Sequence, residues 1–484
     1  MFQVIVDNMI RIPAAAEIKK RHPWFWAAVE SDLTIPNPAY LEAVKYGRSV
    51  YRVPADISLL EWDWGTGAAV LPRGYAGRLL GLLKRHGVPH ALVDRRLALP
   101  PVDFPSGGQI KLRDYQEAAV GAALKVTQGV IQSPAGSGKT IIGMEIIARL
   151  KQPALWLTHT RDLAEQAAER ATVMLGLPRE EIGMIGAGQE KIGAWLTVGI
   201  VQKMARMDLS RLANRWGCVV LDEVHHLGGA VTWVDIMSQL PARHRYGVSA
   251  TIARADGLEA VTERVVGPLL YAVTRDHVSG AGGLVTPRLV AVRTGAESET
   301  WSRYEALTGI YKRRGKKPPV VPFSEILDEL LNDEKRNSLI VEVLARECPG
   351  HFSLVLSERV AHCEKLAAML EKRCPGLKAA AVHGKLSKAR RQEILAGMDA
   401  GGLDVLFAVD IAKEGLDIPR LDRLFLVAGG RNAAEIEQKV GRIQRPCSGK
   451  RDAAVFDFLD EKIGVFVAQY KARQRVYRSL GLFR

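Results

Sequence analysis

The sequence predicts an α/β protein in which two parallel-sheet blocks follow one another, after a smaller α/β block at the N-terminus. Short apolar runs that look like strands alternate with helical segments over residues 106–290, and the same alternation returns over 336–484. Residues 1–105 mix shorter strands and helices and end in the proline-rich LALPPVDFPSGG. The predicted domains are therefore these three blocks, with a less regular connecting segment at 291–335.

Composition and charge narrow the class of protein. The chain has 484 residues, of which 47% are hydrophobic, which is normal for a globular protein and too high for a disordered one. No apolar run approaches the roughly 18 residues that a membrane helix needs. The five cysteines form no CxxC pair, so we expect no disulfide framework or zinc site, and we expect a cytoplasmic location. The net charge of +14 suits a polyanionic partner such as nucleic acid.

The N-terminal block is predicted from short patterns. The alternating MFQVIVDNMIRIP favours a strand, and YAGRLLGLLKRHG has apolar residues at helical spacing, with Gly87 as its stop. The block has no motif as strong as those that follow it. It is either a DNA-binding module or a domain that packs against the rest of the protein or contacts another protein.

The strongest motif is SPAGSGKT, at residues 133–140. It follows the apolar GVIQ and precedes the helical TIIGMEIIARL, which is the strand–loop–helix context of a phosphate-binding loop. Backbone N–H groups of such a loop and of the following helix hold phosphate oxygens. Lys139 is predicted to reach the phosphates of ATP, and the Thr140 hydroxyl to bind Mg²⁺. The remaining loop residues assigned to the nucleotide are Pro134, Ala135, Gly136, Ser137 and Gly138.

Two carboxylates end the apolar run CVVL. Asp222 and Glu223 follow a predicted buried strand, and ligands of parallel α/β sheets bind at the carboxyl edge. The pair predicts an NTPase in which Asp222 holds Mg²⁺ through water and Glu223 polarises the attacking water. His225 is interpreted as part of this motif and His226 as structural, since neighbouring histidines rarely bind one metal ion.

Three further motifs narrow the prediction. Gln116, in LRDYQ, can read the adenine edge through its amide. Ser249 and Thr251 form the SAT motif, one strand–helix unit after DEVH. In QKVGRIQR, Arg442 and Arg445 are predicted to lie one helical turn apart on one helix face. Two such arginines suit the neutralisation of charge on a transferring phosphoryl group.

The connecting segment at 291–335 is both basic and aromatic. Its basic residues and nearby aromatic residues are Lys312, Arg313, Arg314, Lys316, Lys317, Trp301, Tyr304 and Tyr311. This composition suits either contact with a nucleic-acid backbone and stacking on bases, or a solvated loop between domains.

Over residues 109–460 the chain resembles the superfamily 2 helicases. In the family's order, the motifs are LRDYQ (Q motif), SPAGSGKT (I), THTRDLAEQ (Ia), DEVH (II), SAT (III), AVDIAKEGLDIP (V) and QKVGRIQR (VI). DEVH, GVSATIARADG and VGRIQR are most similar to the XPB group and the UvsW-type phage helicases. The resemblance implies two RecA-like lobes, with ATP and Mg²⁺ in the cleft and nucleic acid across both.

Three positions depart from the family's pattern. Ser133 replaces the usual leading glycine of the phosphate loop, and Arg254-Ala255-Asp256 lacks the central glutamate of the signature that follows motif III. Val409 stands where a threonine is common, so a hydroxyl contact to a backbone phosphate is not expected there.

The resemblance assigns further residues to the ATP site and to coupling. Arg113, Gly415 and Asp417 are expected to contact ATP, and Gln438 to join the catalytic arginines. The hydroxyls of the SAT motif are expected to couple closure of the cleft to the grip on DNA.

Nucleic-acid contacts are implied as well, mostly to phosphates and therefore independent of base sequence. The residues are Thr158, Thr160, Arg161, Gln202 and Lys203 in the first lobe, and Ser357, Arg359, His383 and Lys385 in the second. Two alternatives stay open. Arg161 can instead pair with Glu165 at helical spacing, and the second-lobe residues can belong to ordinary surface loops.

The leading hypothesis is an ATP-dependent DNA helicase or translocase with 3′–5′ polarity, acting by branch migration, unwinding or reannealing. It would work in repair, recombination or defence, with a nuclease or another subunit among its candidate partners. A second hypothesis keeps the motor and changes the substrate to RNA. A third is a DNA-binding subunit of a larger assembly in which ATP hydrolysis is only a switch.

Overall fold

A computed structural model describes residues 2–45, 47–105, 110–224, 231–252, 257–409 and 418–483. The chain divides into two compact units, Met1–Pro134 with Gly138–His277, and Ala135–Ser137 with Val278–Arg484. Both units are mixed α/β structures with parallel sheets, which confirms the fold class predicted from the alternating apolar runs.

The N-terminal module, residues 2–105, is built on a five-stranded sheet of order β5-β6-β2-β1-β7. Its strands are β1 (Phe2–Val6), β2 (Met9–Ile12), β3 (Thr34–Pro36), β4 (Asp56–Ser58), β5 (Glu61–Asp63), β6 (Ala68–Pro72) and β7 (His90–Asp94). Its helices are α1 (Ala15–Arg21), α2 (Pro23–Leu33), α3 (Pro38–Lys45) and α4 (Ala76–Arg85). The run predicted as one N-terminal strand forms β1 and β2, which are antiparallel, because Asp7 turns the chain by accepting a hydrogen bond from the Met9 N–H at 2.9 Å.

The first lobe follows the module and carries an eight-stranded sheet of order β11-β10-β12-β9-β13-β14-β8-β15. Its strands are β8 (Gln128–Gln132), β9 (Ala154–Thr158), β10 (Gly183–Gly186), β11 (Gln189–Lys191), β12 (Leu196–Ile200), β13 (Cys218–Asp222), β14 (His244–Ser249) and β15 (Leu269–Ala272). Its helices are α5 (Asp114–Leu124), α6 (Lys139–Leu150), α7 (Arg161–Leu175), α8 (Val201–Met204), α9 (Val231–Met237), α10 (Glu259–Val265) and α11 (Arg275–Gly280). All neighbouring strands are parallel except β10 and β11.

The second unit carries a six-stranded parallel sheet of order β16-β21-β20-β17-β19-β18. Its strands are β16 (Arg288–Arg293), β17 (Ser353–Leu356), β18 (Ala379–Val382), β19 (Val405–Ala408), β20 (Arg423–Leu426) and β21 (Ala454–Leu459). Its helices are α12 (Glu299–Arg313), α13 (Phe323–Asn332), α14 (Glu334–Glu347), α15 (Val360–Arg373), α16 (Lys388–Ala400), α17 (Ala433–Ile443) and α18 (Gly464–Ser479). The domain boundary predicted at residue 290 falls inside β16, which pairs with β21.

The central strands of both large sheets are apolar over most of their length. Strands β9 and β13 of the first lobe, and β19 and β20 of the second unit, are buried at every residue. This pattern is expected where crossover helices pack on both faces of a parallel sheet. Among the described residues, each helix is too short or too polar to cross a bilayer.

A buried arginine joins the N-terminal module to the first lobe. Arg73, which follows β6, is fully buried, and its Nε donates to the Gln128 Oε1 at 3.1 Å, at the start of β8. Its Nη1 donates to the backbone oxygen of Ala242 at 2.5 Å, just before β14. Burial lowers the pKa of this guanidinium, and the carbonyl and amide oxygens compensate part of its lost hydration.

A second buried arginine, Arg245 on β14 of the first lobe, also contacts backbone oxygens at this junction. Its Nη1 donates to the Val265 backbone oxygen at 3.0 Å. Its Nη2 donates to the backbone oxygens of Met237, at 2.9 Å, and Leu240, at 3.0 Å, and also reaches the Asn8 oxygen of the module at 3.4 Å. Both arginines therefore lie at the amino ends of β8 and β14, the edge opposite to the carboxyl ends of these strands.

We expect Gly74→Ala to destabilise the protein by about 1–3 kcal/mol, the usual cost of overpacking. A Cβ at Gly74 would lie 2.5 Å from the Arg264 backbone oxygen and 2.6 Å from that of Glu263, so α10 would have to move away from the module. The matched control is Gly81→Ala in α4, where a Cβ meets nothing within 4 Å and alanine should add about 0.5–1 kcal/mol to helix stability. Urea unfolding of both variants measures the difference. Equal stability of the two variants would contradict the close packing of module and lobe.

Candidate functional site

The phosphate-binding loop predicted from SPAGSGKT has the expected local structure. Strand β8 ends at Gln132 and α6 begins at Lys139. Between them, Gly136 and Gly138 have φ angles of +82° and +85°, which residues with a Cβ rarely adopt. Gly138 is the N-cap of α6 and has no side chain that could accept a hydrogen bond from the first N–H groups of the helix. A helix N-terminus of this kind attracts anions.

Two acidic residues lie beside the lysine that begins α6. The Nζ of Lys139 is 3.3 Å from the Glu223 Oε1, and both side chains are largely buried. Glu223 follows β13 with a φ of +51°, a left-handed conformation that costs energy for a residue with a long side chain. This backbone turn lets the Glu223 N–H donate to the Asp222 Oδ1 at 3.0 Å. Motifs I and II are therefore brought together as predicted.

The carboxylates of Asp222 and Glu223 lie close together in a buried environment, which changes the pKa of Asp222. Burial, and then the nearby charge of Glu223, raise the pKa of Asp222 to about 7, while Lys139 acts in the opposite direction. A raised carboxyl pKa means that the ionised pair lacks enough positive charge around it. A divalent cation supplies that charge, so this edge of the sheet has the chemistry of a metal site.

The SAT motif lies directly beside the phosphate loop. Strand β14 pairs with β8, and Ser249 is the register partner of Gln132. The Ser133 N–H donates to the Ser249 backbone oxygen at 2.8 Å, and the Ser249 hydroxyl donates to the Thr251 oxygen at 2.7 Å. One backbone hydrogen bond therefore connects the phosphate loop directly to the SAT motif.

Gln116 is buried behind the loop rather than exposed on it. Its Oε1 accepts a hydrogen bond from the Arg113 N–H at 3.0 Å, which satisfies a donor at the start of α5. Its Nε2 approaches the loop so closely that a Cβ on Gly138 would lie 2.6 Å from it. The Arg113 guanidinium donates to the Tyr115 hydroxyl at 3.0 Å. Gln116 therefore supports the loop, and its predicted contact with adenine stays a prediction.

These groups fit a nucleoside triphosphate with Mg²⁺. The uncapped turn at Gly138 and the ammonium of Lys139 suit phosphate oxygens. Thr140 and Asp222 offer the oxygen ligands that Mg²⁺ prefers, and Glu223 lies beside Asp222. Gly415 and Asp417, also assigned to ATP from the sequence, lie outside the described residues, as do His225 and His226.

The candidate nucleic-acid contacts of the first lobe have different surroundings. Thr158, at the end of β9, is fully buried, and its hydroxyl has no hydrogen-bond partner in the described structure. Thr160 caps α7 by accepting from the Leu163 N–H at 3.3 Å. Arg161 begins α7 and is exposed. Glu165, the alternative partner of Arg161, forms an ion pair with Arg179 at 3.1 Å, and the choice between nucleic acid and Glu165 for Arg161 stays open.

Gln202 and Lys203 lie in the short helix α8, after β12. Gln202 is exposed, whereas Lys203 forms an ion pair with Glu190 of β11. Both side chains of this pair are well exposed to water, so the pair is weak and can be exchanged for a phosphate at little cost. The assignment of both residues to nucleic acid stays a prediction.

Motif VI of the second unit is helical only in part. Gln438 and Arg442 lie in α17, but this helix ends at Ile443, so Arg445 follows it. The prediction that Arg442 and Arg445 share one helix face is wrong. The physical reason lies in the sequence, since Pro446 disfavours the helical conformation at the residue before it. Gln444 donates its N–H to the Gly441 oxygen in the turn that ends the helix.

Ser357 belongs to a buried relay that the sequence did not reveal. Its Oγ is 2.8 Å from the His362 Nδ1, and the His362 Nε2 is 2.9 Å from the Asn337 Oδ1. The Asn337 amide is oriented because its Nδ2 donates to the Leu331 oxygen at 2.9 Å. His362 must then carry its proton on Nε2, so the Ser357 hydroxyl donates to Nδ1. Burial lowers the pKa of His362 to about 3, which keeps the ring neutral.

This relay changes the predicted role of Ser357. A hydroxyl that donates its only proton to His362 cannot donate it to a phosphate oxygen as well. The lone pairs of the Ser357 oxygen can still accept a hydrogen bond from a donor. No sequence signal would have found the relay, because Asn337 and His362 lie on α14 and α15 and are brought together only by the fold.

The other second-unit candidates differ in accessibility. Arg359 lies 3.5 Å from Asp328 of α13 and is exposed. His383 is buried, and its Nε2 is 3.4 Å from the Glu364 Oε1, which makes it a poor surface contact. Lys385, in the turn after β18, is exposed. Arg359 and Lys385 are therefore accessible to a ligand, and His383 is not.

A cluster of possible metal ligands elsewhere in the second unit already contains a cation. Groups of His351, Asp422 and Asp452 lie close together. The Arg423 guanidinium, however, is 2.8 Å from the His351 Nε2 and 3.1 Å from the Asp452 Oδ1. This arginine neutralises the carboxylates, so the cluster reads as a structural ion-pair network.

Comparison with known proteins follows the two-part organisation. Residues 109–254 match the family described as "Type III restriction enzyme, res subunit", and residues 334–447 match "Helicase conserved C-terminal domain". The chain is 28% identical over 404 residues to "Probable helicase D10" of Escherichia phage T5, covering 83% of this chain and 82% of that protein. It is 26% identical over 363 residues to "DNA 3'-5' translocase XPB2" of Sulfurisphaera tokodaii, covering 70% and 79%. Among solved structures, "S. cerevisiae Dbp5 bound to RNA and ADP BeF3" has a TM-score of 0.52 at 17% identity, covering 77% of this chain and 89% of that chain.

Proposed function

We propose that this protein moves 3′–5′ along DNA and remodels branched or duplex DNA. The premise is that the chain belongs to the superfamily 2 helicases of the XPB-like type and is an ATP-hydrolysing helicase or translocase. The observation that carries the proposal is the meeting of Lys139, Asp222 and Glu223 at one edge of the first sheet. The relative named as a DNA 3′–5′ translocase supports the choice of DNA and the polarity.

Each candidate site residue of the first lobe has a stated role in this proposal. Lys139 and the N–H groups at the start of α6 bind the phosphates, and Thr140 and Asp222 hold Mg²⁺. Bound Mg²⁺ neutralises phosphate charge during phosphoryl transfer. Glu223 orients the attacking water and accepts its proton. Ser249 and Thr251 transmit changes at the loop to the rest of the lobe through the Ser133–Ser249 hydrogen bond.

The second unit completes the machinery in the proposal. Arg442 and Arg445 stabilise charge on the transferring phosphoryl group. Gln438 and Arg442 lie on α17, and Arg445 follows the end of this helix. Nucleic acid is held by exposed groups of both lobes, among them Arg161, Gln202, Arg359 and Lys385. Such contacts go mostly to phosphates, so binding is insensitive to base sequence and weakens as salt is raised.

The first test is ATP hydrolysis without nucleic acid and with single-stranded DNA, duplex DNA, a four-way junction or RNA. We expect branched or duplex DNA to stimulate the wild type most. We expect Lys139→Ala to lower the stimulated rate by at least about 100-fold, as removal of a preorganised charge-stabilising donor does. Lys125→Ala is the control, because Lys125 is exposed and lies before β8, at the opposite edge of the sheet.

The outcomes separate the competing functions. Hydrolysis that is indifferent to every nucleic acid would contradict the proposal. Stimulation by RNA at least as strong as by DNA would favour an RNA helicase. Strong DNA-stimulated hydrolysis without strand displacement, reannealing or branch migration would favour an ATPase switch within a larger assembly.

A further inference from the structure

A lysine outside all the motifs connects the ends of two of them. The Lys450 Nζ donates to the backbone oxygen of Arg445, the last residue of motif VI, at 2.8 Å. It also donates to the backbone oxygens of Pro419, at 3.2 Å, and Leu421, at 2.6 Å. Pro419 is the last residue of motif V. One ammonium therefore uses its three N–H donors on carbonyl groups from two separate segments.

The three carbonyls that Lys450 contacts belong to irregular segments of the second unit. Arg445 lies beyond the end of α17, and Pro419 and Leu421 precede β20, so all three are outside regular secondary structure. A charged donor makes a stronger hydrogen bond than a neutral one. The Lys450 N–H also donates to the Cys447 oxygen at 3.1 Å, which closes the turn between Arg445 and Lys450.

The ammonium is only part-exposed, and its surroundings oppose its charge. Burial lowers the pKa of Lys450 to about 8. Asp422 and Cys447 favour the charged form, whereas the guanidinium groups of Arg445 and Arg423 disfavour it. In the part of the chain that the structure describes, the ammonium bonds to carbonyl groups and pairs with no carboxylate, and a part-buried lysine of this kind is costly to keep charged. Its hydrogen bonds to three carbonyls are the visible compensation.

We propose that Lys450 is a positioning residue for ATP hydrolysis, which holds the segment that carries Arg445 against the end of motif V. The inference rests on the proposed role of Arg445 in the reaction. Lys450 itself touches no reacting atom in this proposal. It acts by restricting the backbone of Arg445, so that the guanidinium is presented in one arrangement when phosphoryl transfer occurs. Preorganisation of this kind contributes to turnover more than to binding of the nucleotide.

The charge of Lys450 predicts a pH dependence with a definite sign. Below about pH 8 the ammonium has three donors, and above it the neutral amine has two, so one carbonyl bond is lost as the pH rises. The kcat of the wild type should therefore decline above about pH 8. Lys450→Arg stays charged throughout this range, because the pKa of a guanidinium is above about 12. It should lack this decline.

The experiment measures kcat and KM for DNA-stimulated ATP hydrolysis on both sides of pH 8, with thermal unfolding of each variant. Lys450→Met should lower kcat roughly 10- to 100-fold, as a misplaced catalytic group does, with little change in KM for ATP. Lys450→Arg should retain more activity than Lys450→Met. Lys471→Met, at an exposed lysine of α18, is the matched control and should behave as wild type.

The inference is overturned if Lys450→Met has wild-type kcat, or if wild type and Lys450→Arg show the same alkaline decline. If Lys450→Met does not fold, the pH dependence of kcat in wild type and in Lys450→Arg still tests the inference. Arg445→Ala in the same assay distinguishes the proposed role of Arg445 from that of Lys450. Wild-type turnover in Arg445→Ala would refute the proposed role of Arg445, whereas loss in Arg445→Ala with none in Lys450→Met would refute only the role of Lys450.

Discussion

We expect Glu223→Gln to lower the rate of DNA-stimulated ATP hydrolysis by about 10²- to 10⁴-fold, the range for loss of a general base. The glutamine keeps the length of the side chain and its place beside Lys139, where the carboxylate now lies 3.3 Å from the ammonium. It cannot accept a proton from water at neutral pH. Binding of ATP should be retained, because the N–H groups and the lysine that hold the phosphates are unchanged. Single-turnover hydrolysis and equilibrium binding of a nucleotide measure the two properties separately.

The control for this variant is Glu169→Gln, an exposed glutamate on α7 of the same lobe. It loses one negative charge without touching the candidate site and should hydrolyse ATP as the wild type does. Near-wild-type hydrolysis by Glu223→Gln would remove Glu223 from the reaction. Loss of nucleotide binding along with hydrolysis would show instead that the Lys139–Glu223 pair is structural.

The largest effect on stability is expected from Asp457→Ala in the second unit. Asp457 on β21 is fully buried and accepts hydrogen bonds from the Arg473 Nε and Nη2, both at 2.8 Å. It also accepts one from the Tyr477 hydroxyl at 2.7 Å. Removing the carboxylate leaves a buried guanidinium without its counter-charge, which costs about 3–5 kcal/mol. Denaturant unfolding followed by circular dichroism checks this expectation.

Arg473 links this triad to the motif VI helix, since its Nη1 donates to the Gly430 oxygen three residues before α17. We therefore expect residual Asp457→Ala protein to have lowered ATP turnover as well. Asp399→Ala is the comparison, because Asp399 is an exposed residue near the end of α16. A change of less than about 1 kcal/mol in Asp457→Ala would mean that solvent reaches Arg473 and replaces the lost pair.

The parts of the site that are contiguous in sequence were predictable. The phosphate loop needs glycines at fixed positions, so the sequence itself predicts the positive φ angles of Gly136 and Gly138. The position of Asp222 and Glu223 was predictable because they directly follow the apolar run CVVL, which forms the buried strand β13 and brings the two acids to its carboxyl end. The alternation of apolar runs likewise predicted the two parallel sheets.

Contacts between distant segments were not predictable in the same way. The relay through His362 and Asn337, and the reach of Lys450 to Pro419, depend on which helices and turns the fold places side by side. No repeating pattern in the sequence identifies a single histidine or lysine as the centre of such contacts. The end of α17 before Arg445 is a different case, because Pro446 signalled it and the helical pattern was extended past it.

The buried arginines between the N-terminal module and the first lobe restrict how this protein can be recombined with its relatives. Arg73 depends on oxygens of Gln128 and Ala242 in the lobe, and Gly74 packs so closely against the Arg264 backbone that a side chain does not fit there. A module exchanged from another helicase would need partners that match at all of these lobe positions. We expect chimaeras joined between module and lobe to be less stable than the parent protein, although every candidate catalytic residue is retained.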